Sequence, residues 1–123
     1  MAENIFSPCP YWPAGLHDAE IVTVEEQTLS YDVRQKEPIR NCLVLRINAC
    51  GAMFDTYVKE IRLYNYKILS GVPAEIAGAW WLSDTFKEEN GKCVLTLSLQ
   101  NSQTFPDKFT FTVRFEKTEV IRK

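Results

Sequence analysis

Histidine is almost absent from this chain, with one, His17, among 123 residues. Zinc hydrolases and other sites built from several histidines therefore lack their ligands, and His17 alone cannot complete the common Cys/His zinc sets. Glycine is also scarce, five residues with no Gly-x-Gly and none placed to open a helix, which leaves no phosphate-cradling loop. The four cysteines, Cys9, Cys42, Cys50 and Cys93, include no Cys-x-x-Cys pair, so zinc knuckles and redox dithiols are not expected. No apolar run approaches the roughly 18 residues of a membrane span, and the first thirteen residues have neither the basic cluster nor the apolar stretch of a secretory signal. The expected location is the cytoplasm, where the cysteines would be free thiols. Fourteen basic and sixteen acidic side chains are scattered without blocks, so neither a nucleic-acid stripe nor an acidic tail is present.

What the chain does have is apolar content of 46% and charged content of 24%, enough for one core at this length. The expectation is a single all-β domain over 1–123, mainly antiparallel and meander-like. It would be a partly closed barrel or a small sandwich with at most one short helical turn. Residues 1–15 carry Pro8, Pro10 and Pro13 around Cys9, Tyr11 and Trp12, the composition of an extended arm packed on the domain by its aromatics. Strands are expected over 17–25, with a bulge near the adjacent Ile21 and Val22, and over 29–33. Further strands fall at 42–49, where Leu43, Leu45 and Ile47 alternate with polar or smaller neighbours, and over about 54–69, with a bulge or break near residue 64. Pro73 begins one helical turn.

The hairpin from 80 to 100 carries the most information. Asn90-Gly91 is the favoured type I′ turn dipeptide, and it pairs Phe86 with Leu95, Asp84 with Leu97, Leu82 with Leu99 and Trp80 with Asn101. The opposite face pairs Thr85 with Thr96, Ser83 with Ser98 and Trp81 with Gln100. On this register Trp80 points inward, Trp81 outward, and Asp84 sits on the apolar face. Phe109, Phe111, Val113 and Phe115 then alternate without fault as a principal core strand.

Two features could carry chemistry. The His17-Asp18 dipeptide has no recognisable nucleophile motif to serve, and such residues commonly bond backbone groups at a strand entrance. A carboxylate at Asp84 needs water at the sheet margin, or else a partner such as His17 or an arginine in a pocket. Those three residues, His17, Asp18 and Asp84, are the pocket candidates. An outward Trp81, with Tyr11, Trp12, Tyr64 and Tyr66 as neighbours, is the candidate patch for binding a protein.

The run YWPAGLHDAEIVTVE, from Tyr11 to Glu25, resembles the opening of small bacterial β proteins in which Trp-Pro, a short spacer and His-Asp-Ala enter the first strand. The likeness rests on Trp12, Pro13, His17, Asp18 and Ala19, with VKEIRLYNYKIL similar to a mid-domain strand pair. Some of those proteins are assigned as immunity proteins of polymorphic toxin systems. The resemblance implies a noncatalytic cytoplasmic protein that neutralises another protein by covering a surface, with no cofactor, no metal and no catalytic residue. The alternative is a small-ligand binder or hydrolase with His17 and Asp84 in its pocket.

Overall fold

The computed structural model describes residues 9–13, 15–28, 40–52, 56–101 and 108–123, apart from the side chain of Asn101. The expected strand at 29–33 and the Pro106-Asp107 turn lie outside the described residues. The elements are β1 (Glu20–Thr28), β2 (Asn41–Asn48), β3 (Val58–Tyr64), β4 (Lys67–Ser70), α1 (Pro73–Ile76), β5 (Ala79–Glu89), β6 (Lys92–Asn101), β7 (Lys108–Phe115) and β8 (Lys117–Arg122). One all-antiparallel sheet runs in the order β4-β7-β6-β5-β1-β2-β3-β8. The only helix among the described residues is the single turn begun by Pro73, whose missing N–H is harmless at that position.

The two ends of the sheet are brought together by a shared bend. β3 passes into β4 across Asn65 and Tyr66, and β7 passes into β8 across Glu116. Tyr64 opposite Lys117 and Lys67 opposite Arg114 keep the same register on both sides of the corner. Asn65 makes the bend possible with φ of 53°, a left-handed conformation that asparagine tolerates better than most residues. Its backbone N–H donates to the Asn41 carbonyl at 2.9 Å and its side chain donates to Glu116 at 3.2 Å. The Asn41 amide in turn bonds both the N–H and the carbonyl of Tyr66, standing in for a neighbouring strand where the ladder breaks. The break expected near residue 64 is thus a corner, and the sheet wraps round one core with no closing ladder between β4 and β8 among the described residues.

Inward rows from both halves of the sheet fill that core: Leu43, Leu45, Ile61 and Leu63 from β2 and β3, and Leu95, Leu97, Leu99, Phe111, Val113 and Phe115 from β6 and β7. Each is buried, and strict period-two alternation in β6 and β7 keeps Thr96, Ser98, Thr110 and Thr112 on the outer face. The narrowest seam is between β1 and β5, where one ladder pair, Glu20 with Trp80, joins the halves.

The Asn90-Gly91 turn has positive φ at both residues, 52° and 78°, as a type I′ hairpin requires. The expected pairing holds from Glu89 with Lys92 down to Ser83 with Ser98. It fails beyond. A bulge at Leu82 shifts the register, so that Trp81 pairs with Leu99 and Trp80 with Gln100. The orientations of the tryptophans expected from an unbroken hairpin are therefore reversed: Trp81 is fully buried and Trp80 is 36% exposed. An extra residue in one strand moves every side chain beyond it to the other face.

Candidate functional site

The bulge at Leu82 creates the most unusual cluster in the molecule. In a regular strand residues 81 and 84 would face opposite ways, but here Trp81 and Asp84 both point into the core. The Asp84 carboxylate, 7% exposed, accepts a hydrogen bond from the Trp81 indole N–H at 3.0 Å and a second, on the same oxygen, from the Trp12 indole N–H at 3.2 Å. The two indoles meet edge to face with centroids 5.4 Å apart. Such contacts supply the compensation that a buried carboxylate requires. Asp84 is thus inward, as the register implied, and the indoles of Trp12 and Trp81 are two of its partners.

Residues 17–19 grip the same bulge from the other side. His17 Nδ1 lies 2.6 Å from the Leu82 carbonyl, a contact that requires the ring to carry its proton on Nδ1. The Asp18 N–H donates to the Trp81 carbonyl at 2.8 Å, and the Trp81 N–H donates to the Ala19 carbonyl at 2.7 Å. Asp18 has φ of 73°, and its side chain lies 3.5 Å from His17 Nε2. Trp12, His17, Asp18 and Ala19 therefore converge on residues 81 to 84. The Trp-Pro and His-Asp-Ala elements of the sequence form a clamp that holds the β5 bulge and fastens the arm. The strand itself begins at Glu20, three residues later than expected, with its bulge at Val22.

The pocket candidates are brought to one neighbourhood without facing one another. His17 is directed to a backbone carbonyl and to Asp18, whereas Asp84 is directed to the two indoles inside. Among the described residues, no group of three or more His, Cys, Asp or Glu side chains is placed to hold a metal ion. No helix among them is long and apolar enough to cross a membrane.

The partner-binding candidates separate in the same way. Trp81 and Trp12 are core residues, so neither can present its ring to a protein. Tyr11 is half-buried against Phe86 and Phe115, and its backbone carbonyl accepts a hydrogen bond from the Arg122 guanidinium at 2.9 Å. Tyr64 donates to Glu119 at 3.0 Å and Tyr66 to Glu26 at 2.6 Å. Burial raises the proton affinity of both phenols, with the adjacent carboxylates adding to it. Tyr64 thus joins Glu119, Arg62 and Glu60 on β3 and β8, while Tyr66 ties the corner to β1 through Glu26. The residue that the sequence reading missed is Trp80. Its signal was the Trp-Trp pair itself, which any single-residue bulge would invert.

No family model, curated protein or solved structure matches this chain. The geometry alone therefore carries the functional argument.

All four cysteines are free thiols, and three of them, Cys9, Cys42 and Cys93, are buried. Burial pushes the Cys9 thiol up to about 12 and moves Cys42 and Cys93 in the same direction. In the native protein only Cys50 is expected to react with a thiol reagent at neutral pH, with all four reacting after denaturation. The unfolded chain ionises its thiols near their ordinary value while the folded chain keeps them protonated. Stability from this source is therefore complete below about pH 8.5 and declines as pH rises toward 12. Urea midpoints at mildly and strongly alkaline pH measure the decline, and Cys9→Ala should reduce it.

Proposed function

We propose that this chain is a noncatalytic cytoplasmic protein-binding module of immunity type, which neutralises a bacterial partner by covering it, and that it binds through the outer face of β5, β6 and β7. The exposed indole of Trp80 carries the proposal. Tryptophan is the residue type most enriched among interface hot spots, and this one stands in an outward row with Glu20, Gln100 and Lys108 from three neighbouring strands. Val22, 47% exposed, follows Glu20 by two residues on the adjoining strand and adds apolar surface beside it. The outward rows from Trp80 to Lys87 extend over roughly 20 Å of strand, a span suited to an ordinary protein interface. In support, Asp84 accepts from two indole N–H groups while His17 Nδ1 lies against the Leu82 carbonyl, so the two residues of the alternative pocket do not face one another.

Affinity capture from the native host compares wild type with Trp80→Ala. A specific partner is expected with the wild type, and the variant should retain at most about one-tenth of it, the loss typical of a hot-spot truncation. The substitution is expected to cost clearly less stability than Trp81→Ala, because the ring is on the outer face and 36% exposed whereas that of Trp81 is fully buried. Absence of a specific partner, or equal capture by the variant, would overturn the assignment.

A further inference from the structure

We propose that the outer face of β7 and β4 receives an acidic segment of the partner protein, with Arg114 and Lys67 neutralising its carboxylates. This rests on the protein-binding reading above and deepens it. Lys67 and Arg114 are directly opposite one another in the β4–β7 ladder and share the outer face, where two like charges repel. Neither side chain makes an ion pair or a hydrogen bond among the described residues. Lys108, farther along the outer side of β7, is also without an ion pair among those residues.

The arginines of β2 and β3 are paired instead. Glu60 takes Arg46 at 3.6 Å and Arg62 at 2.5 Å, and Glu119 takes Arg62 at 3.5 Å and the Tyr64 hydroxyl at 3.0 Å. Lys87 and Lys92 are likewise matched by Glu89 and Glu116 at 3.8 Å each. Carboxylates thus meet Arg46, Arg62, Lys87 and Lys92, and of the cations without an ion pair among the described residues Lys67 and Arg114 are the two that stand opposite one another in a ladder. The surroundings suit a carboxylate ligand. The adjacent outward row consists of Thr85, Thr96, Thr112 and Ser70, and the Thr96 and Thr112 hydroxyls are 3.2 Å apart. Arg114 offers a planar fork and the hydroxyls can donate beside it. Lys67 also serves at the end of the sheet order, where lysine guards against strand addition, and the bulge at Leu69 does the same. The segment is therefore expected to lie across the face and not to extend the ladder.

The test uses the full chain, isotopically labelled, titrated at low salt with two hexapeptides that differ only in carrying three Glu or three Gln at alternate positions. The Glu peptide is expected to bind at least tenfold tighter, to shift the amides of residues 67, 94, 112 and 114, and to weaken as salt is added. Arg114→Gln combined with Lys67→Gln should abolish the discrimination while leaving the urea midpoint unchanged or raised, because a repulsive pair has been removed. Equal affinity for the two peptides, shifts centred elsewhere, or discrimination that survives the double variant would overturn the proposal. So would inorganic phosphate binding at these residues as tightly as the Glu peptide, since that marks a plain anion site. If the peptides fail while capture of the partner still depends on Trp80, only this inference falls. If Trp80→Ala leaves capture intact while the peptides behave as stated, it is the Trp80 assignment that falls.

Discussion

Trp81→Ala is expected to cost about 3 to 5 kcal/mol, the range for truncating a large aromatic in a close-packed core. That is a large fraction of the roughly 5 to 15 kcal/mol by which domains are stable, and it corresponds to a fall of about 10 to 20 °C in melting temperature for a chain of this size. The loss has three sources. The ring is fully buried, it contacts Trp12 edge to face, and its N–H is one of the two donors to Asp84. Urea unfolding followed by circular dichroism measures the cost without relying on tryptophan fluorescence. Trp80→Ala is the internal reference. Should the Trp80 variant prove the more destabilised, the bulge at Leu82 would be misplaced and the indole facing the core would be that of Trp80.

The same bulge marks the limit of what the sequence discloses. Local rules were sufficient wherever one strand or one turn decided the outcome: the Asn90-Gly91 turn, the alternation from Phe109 to Phe115, the helical turn at Pro73 and the inward position of Asp84. The pairing of Ser83 with Ser98 and of Thr85 with Thr96 was legible because the turn fixes it directly. Leu82 has no local signature of a bulge. It is selected by contacts with residues more than sixty positions away, the Leu82 carbonyl with His17 and the Trp81 backbone with Asp18 and Ala19. Those partners become visible only when β1 and β5 are known to be neighbours, and strand order is not written in hydrophobic period. The corner at Asn65 is the intermediate case. The switch of parity after Leu63 announced it, but its cause lies in Asn41 and Glu116.

The reversal also changes what the His-Asp-Ala segment means. Read as a sequence, His17 and Asp18 invite comparison with catalytic and metal-binding pairs. In the fold, their backbone and ring atoms are spent on holding an irregular strand, and Trp12 completes the grip from inside. Bulges recur where a side chain has to be re-aimed. Here the re-aimed pair is Trp81 inward and Trp80 outward, so one irregularity both builds the core and exposes the residue on which binding is proposed to depend.

Asp84 is where this account is most exposed to experiment. If the carboxylate is there to satisfy two indoles, Asp84→Ala leaves both N–H groups buried without that acceptor and opens a cavity, and it should cost about 3 to 5 kcal/mol, as breaking a buried charged network does. Asp84→Asn keeps a carbonyl acceptor of nearly the same shape and loses only the charge assistance, so about 1 to 2 kcal/mol is expected. The cause is isolated by Trp12→Phe, which removes one donor while retaining an aromatic ring. In a double-mutant cycle with Asp84→Ala the two losses should fall short of additive by about 0.5 to 3 kcal/mol, since the second substitution removes a donor already stranded by the first. Strict additivity would mean that Trp12 and Asp84 do not act on one another. An Asp84→Ala variant as stable as wild type would mean that the carboxylate is held in the core for some use other than packing, and the hydrolytic reading of this residue would then regain its footing.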